Sequence, residues 1–88
     1  MKLLIVILNQ IHADPVIKAL IKADFRVTRV ASSGGFLRRG NTTLFMGMQE
    51  QRVEEAFEVI RAAAPKAPEA GQRRATIFIL DLAGFEQV

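Results

Sequence analysis

The feature that most constrains this chain is its first predicted strand, Leu3–Leu8, which is apolar at every position. Side chains alternate between the two faces of a sheet along a strand, so both faces of this strand are apolar. A chain of 88 residues has room for one modest core, because small domains bury a lower fraction of their surface. The strand therefore demands cover on both sides within a small domain.

Hydrophobic periodicity and turn signals predict the remaining elements. Asp14 is expected to cap the first helix, with Pro15 at its first helical position and a loop over residues 9–13 before it. Pro65 is expected to end the second helix. In chain order the predicted strands and helices cover Leu3–Leu8, Asp14–Asp24, Phe25–Ala31, Thr42–Met48, Gln51–Ala64 and Ala75–Leu82.

The order strand, helix, strand, strand, helix, strand is that of the ferredoxin-like β-α-β-β-α-β fold. We therefore predict one α+β domain over residues 1–88, with a four-stranded antiparallel sheet and both helices on one face. The fourth strand, Ala75–Leu82, is also apolar on both faces. Leaving such a side chain exposed to water would forgo about 1.5–3 kcal/mol of stabilisation that its burial would provide. A symmetric oligomer that packs sheet faces together is expected; the alternative is a compact monomer with an apolar patch.

Composition argues against several classes of function. The chain has no cysteine and one histidine, His12, which removes thiolate chemistry and most histidine-based metal and acid–base sites. The remaining acidic side chains form no nucleophile–base or paired-carboxylate set. We therefore predict neither an enzyme nor a metal site.

No apolar run approaches the ~20 residues of a membrane helix, so no membrane association is expected and the predicted location is the cytoplasm. The net charge is +3 and the isoelectric point is about 10.0. Lysines and arginines are spread along the chain, which favours a basic surface with a local anion site over a nucleic-acid interface.

Residues 32–43, SSGGFLRRGNTT, join two strands that a much shorter turn would connect. Their glycines let backbone N–H groups approach a ligand closely, and Arg38 and Arg39 suit phosphate. Phe36 is a flat side chain suited to stacking on a purine. The alternative is a flexible hairpin loop with Phe36 folded onto the core.

This segment, together with FRVTR at 25–29, resembles the signature of the PII-like cyclic-di-AMP receptor family. The resemblance extends from the first strand through Gly47 and Arg52, and resumes from Ala75 to the tail. It implies a non-enzymatic signalling protein that forms a homotrimer, binds cyclic di-AMP in clefts between subunits and relays its level through loop changes to an unidentified downstream protein. The nucleotide is a ligand and not a cofactor.

The resemblance also implies which residues contact the nucleotide. By position they are Asp24, Arg26, Thr28, Gly35, Phe36, Leu37, Asn41, Gly47 and Gln87. Arg26 and Thr28 would line the pocket from the second strand, residues 35–37 would wrap a base with Phe36 stacking on it, and Gly47 would allow close approach to the third strand. Asn41 would bond the ligand, and Gln87 would reach in from the tail.

The chain departs from the family pattern in three places. Ser33 replaces the usual threonine, Asp24 stands where asparagine is usual, and the loop over residues 65–74 is shorter. A carboxylate accepts hydrogen bonds but does not donate as an amide does. Two further hypotheses follow: a sensor of ATP, ADP or AMP, and a structural or interaction trimer that has lost its ligand.

Overall fold

The computed structural model describes residues 1–30, 40–64, 75–84 and 86. A short 3-10 helix, Glu50–Arg52, precedes the second α-helix and forms the start of the second helix predicted from the sequence. The strands and α-helices are β1 Lys2–Asn9, α1 Gln10–Lys22, β2 Thr28–Val30, β3 Asn41–Met48, α2 Val53–Ala63 and β4 Ala75–Asp81.

The four strands form one antiparallel sheet in the order β2-β3-β1-β4. β1 is central and pairs along its length with β3 on one side and β4 on the other. The predicted fold class, an α+β ferredoxin-like arrangement with a four-stranded antiparallel sheet and two helices, is confirmed. None of the helices in the described ranges is long and apolar enough to cross a membrane.

The core lies between one face of the sheet and the two helices. Leu4 and Val6 of β1 are fully buried there, and they pack with Leu20 of α1 and with Ile60 of α2. Each large side chain in this position contributes about 1.5–3 kcal/mol relative to an exposed one. Their partners from β3 and from the turn after α1 are Leu44, Met46, Met48 and Phe25.

The prediction that α1 begins at Asp14 is wrong. Asn9 is the capping residue, and its Oδ1 accepts a hydrogen bond from the backbone N–H of Ile11 at 3.0 Å. Asparagine caps a helix as well as aspartate does. Because the cap is the last residue of β1, no loop separates β1 from α1. Pro15 lies inside α1 and costs it one backbone hydrogen bond. Asp14 instead pairs with Arg29 of β2, with 3.3 Å between Oδ1 and Nη1.

β2 is shorter than the predicted strand, which ran over Phe25–Ala31; its last residue, Ala31, lies outside the described residues. The predicted alternation is nevertheless confirmed. Phe25 is buried, Val27 is half-buried, and Arg26 and Thr28 are exposed. β2 begins only at Thr28 because the turn at Asp24 directs Phe25 back onto α1. The chain becomes extended and pairs with β3 only after this turn.

The sheet face away from the helices, called the open face below, has three central rows of side chains, with Asn9 and Asn41 paired beyond them at one end. These rows follow from the strand register. The central row runs across Thr28, Phe45, Ile5 and Phe78. The row on one side holds Val30, Thr43, Ile7 and Thr76, and the row on the other holds Gly47, Leu3 and Leu80.

The open face is largely apolar and only partly shielded. Phe45, Phe78 and Leu80 are 39%, 52% and 45% exposed, and the β1 residues between them are half-buried. The prediction that β1 and β4 carry apolar side chains on both faces is thus confirmed. What covers the open face remains a prediction.

An ion pair joins the ends of β1 and β4. The Lys2 ammonium donates a hydrogen bond to the Asp81 carboxylate and also lies 3.8 Å from Oε1 of Glu50. The hydrogen bond with Asp81 raises the pKa of Lys2, and the same bond lowers the pKa of Asp81. The backbone N–H of Leu82 donates to the carbonyl of Met1, so the start of the tail is tied to the start of the chain.

Candidate functional site

Five of the nine residues proposed to contact a ligand are described by the structure: Asp24, Arg26, Thr28, Asn41 and Gly47. The others, Gly35, Phe36, Leu37 and Gln87, lie outside the described residues, so their roles stay predictions. The described five come from the turn after α1, from β2 and from β3.

Asp24, the residue after the C-cap Ala23 of α1, has a left-handed backbone conformation, with φ of 69°. Its N–H donates to the carbonyl of Ile21, and the N–H of Phe25 donates to the carbonyl of Leu20 at 2.9 Å. These two bonds, with Phe25 and Leu20 packed in the same core, form a Schellman motif. Asp24 therefore occupies the position where glycine or asparagine is favoured, and this fixes where Arg26 and Thr28 begin.

Replacing Asp24 by asparagine is expected to stabilise the fold by about 0.5–1 kcal/mol. Asparagine adopts the left-handed conformation readily and removes a negative charge from the negative end of the helix dipole. Urea unfolding of Asp24→Asn beside the wild type measures the change. Lys22→Asn, two residues earlier at the same exposed helix end, is the matched control and should not stabilise the fold. Equal gains in stability in both variants would contradict the role assigned to Asp24.

Arg26, Thr28 and Gly47 lie together at one corner of the open face. Thr28 is opposite Phe45 in the β2–β3 register, and the same register continued by one pair on this face places Arg26 opposite Gly47. Arg26 is exposed and has no hydrogen bond or ion pair with any described residue. A Cβ built on Gly47 meets no atom within 4 Å. The corner thus offers an exposed guanidinium, a hydroxyl and a stretch of backbone without a side chain.

Asn41 lies at the opposite end of the same strand. It pairs with Asn9, and the carbonyl of its neighbour Gly40 accepts a hydrogen bond from the N–H of Gln10 at 2.8 Å. Gly40 has φ of 88°, a conformation that favours glycine. Asn41 and Gly47 are six residues apart along one extended strand, which is about 20 Å. The predicted site residues therefore form two separate groups within one subunit.

One residue that the sequence did not single out holds the first group in place. The guanidinium of Arg52 donates from Nη2 to the carbonyl of Ala23 at 2.9 Å and from Nη1 to the carbonyl of Asp24 at 3.2 Å. It lies 4.0 Å from the centre of the Phe25 ring and pairs with Glu55. Arg52 thereby satisfies carbonyls at the end of α1 and fixes the segment that leads to Arg26.

The described residues contain no group of three or more histidine, cysteine or acidic side chains that could hold a metal ion. The corner around Arg26 instead suits an anionic ligand with a flat, hydrogen-bonding part. Guanidinium groups bind phosphate by paired, charge-assisted hydrogen bonds, and open backbone accepts a closely packed group.

Comparisons with known proteins agree with this chemistry. The family model described as cyclic-di-AMP receptor matches residues 1–70. The chain is also similar to a solved structure of a functionally unknown protein from Pediococcus pentosaceus, with 32% sequence identity and a TM-score of 0.79. That match covers 99% of this chain and 96% of the other. By the extent of the family match, the chain belongs to the cyclic-di-AMP receptor family.

Proposed function

We propose that this protein is a cyclic-di-AMP receptor that assembles as a homotrimer, binds the nucleotide in clefts between subunits and relays its level to a protein partner through loop changes. Family membership supports the ligand. The apolar open face supports the assembly, because its exposed phenylalanines and leucine need a partner surface. The proposal assigns the chain no catalytic step and a place in the cytoplasm.

The observation that carries the inter-subunit site is the separation of its two groups. Gly47 lies about 20 Å from Asn41 along β3, and Thr28, opposite Phe45, lies about 14 Å from Asn41 across the sheet. Two groups this far apart do not contact the same base. In a closed ring of subunits, each interface joins two different surfaces of the chain. One subunit then supplies the Arg26 group to a cleft and its neighbour supplies Asn41.

Each group has a distinct task in the cleft. Arg26 neutralises a phosphate, and Thr28 exchanges a hydrogen bond with the ligand. Asn41 reads a base edge through its amide, and Phe36 stacks on the base. Ligand contacts with residues 35–37 and with Gln87 form a ligand-bound surface, and this surface is what a downstream protein recognises.

Calorimetry and thermal shift with a nucleotide panel test the proposal. The panel contains cyclic di-AMP, cyclic di-GMP, ATP, ADP and AMP, and the protein's mass is measured in parallel. We expect cyclic di-AMP to raise the melting temperature most, since binding only the folded state stabilises it. A response to ATP, ADP or AMP alone would identify a different adenine nucleotide as the ligand. Asp24, which replaces the usual asparagine, is the reason for including these nucleotides. No response to any of the five would contradict a nucleotide receptor.

Gly47→Val is expected to leave the fold intact and weaken cyclic di-AMP binding at least tenfold, about 1.4 kcal/mol. The free subunit has space for the new side chain, since no atom lies within 4 Å of a Cβ at this position. Valine also favours a strand. The ligand, however, would meet the added methyl groups where it now meets backbone.

Gly84→Val is the matched control, because a Cβ at Gly84 likewise meets no atom within 4 Å. Circular dichroism checks the fold of both variants and calorimetry measures their affinity. Wild-type affinity in Gly47→Val would remove Gly47 from the site.

A further inference from the structure

Among buried side-chain polar atoms of the described residues, Oγ1 of Thr43 is the one without a hydrogen-bond partner. Thr43 is 4% exposed, so water does not reach this atom in quantity. A buried hydroxyl without a partner is uncommon in folded proteins, because losing its hydration is costly unless a hydrogen bond replaces it. Such an atom is suited to a partner that arrives from outside the chain.

Most described neighbours of Thr43 on the open face are apolar, and the one polar neighbour on its own strand, Asn41, does not pair with its hydroxyl. On the open face its cross-strand neighbours are Val30 of β2 and Ile7 of β1, and the next residue on the same side of β3 is Phe45. None of these three side chains has a polar atom. Valine is β-branched like threonine and would fill the position without burying a hydroxyl that has no partner.

The position of Thr43 also connects it to the proposed site. On the open face of β3 it stands directly after Asn41 and two side chains before Gly47. In the rows of the sheet it neighbours the Thr28–Phe45 pair diagonally. Thr43 therefore lies on the open face next to Asn41, about 7 Å away along β3, and belongs with the group that Asn41 supplies to a cleft.

We propose that Thr43 is a further binding residue, whose hydroxyl exchanges a hydrogen bond with the polar edge of an adenine base held on this face. This inference rests on the proposed function. Adenine presents both an amino donor and ring-nitrogen acceptors, and a hydroxyl pairs with either. Because Thr43 is buried in the free chain, the base reaches it only as side chains around Thr43 repack. The hydroxyl is then unpaired in the free state and paired in the bound one, which biases the chain toward the bound arrangement.

The test compares Thr43→Val with Thr43→Ser. Thr43→Val removes the hydroxyl at nearly constant shape, so the free protein is expected to melt at the same temperature or higher. Its cyclic di-AMP affinity is expected to fall about tenfold, as loss of one buried hydrogen bond predicts. Thr43→Ser keeps the hydroxyl and should bind more tightly than Thr43→Val. Thr76→Val, in the same row of the open face, is the control and should bind as the wild type does.

The outcomes separate this inference from the proposed function. A wild type that binds no nucleotide of the panel overturns the proposed function. A wild type that binds, with Thr43→Val equally tight, overturns the inference alone. A Thr43→Val variant of unchanged affinity but weakened assembly, measured by mass on dilution, assigns the hydroxyl to a neighbouring subunit and also overturns it. If Thr43→Val does not fold, Thr43→Ala, which also lacks the hydroxyl, is compared with Thr43→Ser in the same way.

Discussion

Replacing Ile5 by glutamate is expected to separate the subunits and give a mass near the 9.8 kDa of one chain. Ile5 is at the centre of the open face, between Phe45 of β3 and Phe78 of β4. In an assembly this position is sealed from water, and an unpaired carboxylate there costs several kcal/mol. In a free subunit the face is wet, so the charge is tolerated.

Light scattering on Ile5→Glu and the wild type measures this effect, with circular dichroism to confirm that the variant is folded. Ile21→Glu is the matched control, because Ile21 is 59% exposed on α1 and away from the sheet. The control should keep the wild-type mass. An Ile5→Glu protein of unchanged mass, or a wild type that is already a single subunit, would show that the open face is not the interface.

Replacing Arg52 by alanine is expected to lower the free energy of unfolding by about 2–3 kcal/mol. The change leaves the carbonyls of Ala23 and Asp24 without their donor and removes the cation from the Phe25 ring. A partly exposed guanidinium with two carbonyl acceptors and an aromatic neighbour is worth more than a surface ion pair. The lost contacts are those that stabilise the turn between α1 and Arg26.

Two companion variants separate the parts of this contact. Glu55→Gln removes only the ion pair with Arg52 and should cost less than about 1 kcal/mol, as exposed pairs do. Arg52→Lys keeps the charge but not the planar fork, and should fall between the two. Urea unfolding measures all three variants. A Glu55→Gln effect as large as that of Arg52→Ala would assign the stability to the ion pair and not to the helix end.

The fold was predictable because its elements are marked locally. Alternation in the segment after Asp24 and continuous apolar runs at both ends of the chain identify the strands. Their order leaves few topologies, and the open face follows from the number of helices available to cover it. The apolar character of β1 and β4 on both sides needed no knowledge of strand pairing.

The start of α1 was not predictable in the same way. Asn9, Asp14 and Pro15 all carry helix-start signals, and local sequence does not rank them. The N–H of Gln10 bonds to the carbonyl of Gly40, a contact from a distant segment. A helix capped by Asn9 gains the hydrogen bond between Gln10 and Gly40 and loses one backbone hydrogen bond at Pro15. The first of these bonds depends on a distant segment, so it cannot be read from the local sequence.

The candidate site was predictable as a set of residues but not as an arrangement. The resemblance to the family motif identified Asp24, Arg26, Thr28, Asn41 and Gly47. It does not predict the distances between them. The β2–β3 register, continued by one pair beyond Thr28, is what places Arg26 beside Gly47, and Asn41 lies at the far end of β3. Arg52 was missed because its partners are backbone carbonyls. A signal for the turn was present, since Leu20 and Phe25 have the spacing of the hydrophobic pair in a Schellman motif.

The central claim, that each nucleotide site takes one group of residues from each of two subunits, is tested most directly by mixing Arg26→Ala and Asn41→Ala chains. Each variant alone is expected to lose cyclic di-AMP binding, because every one of its clefts lacks one group. The two are unfolded together and refolded, and differently sized tags confirm the hybrid assemblies by mass. About a quarter of the clefts in an equal random mixture are then intact. We predict wild-type affinity at that reduced number of sites, and hybrids that bind no better than the separate variants would contradict the account.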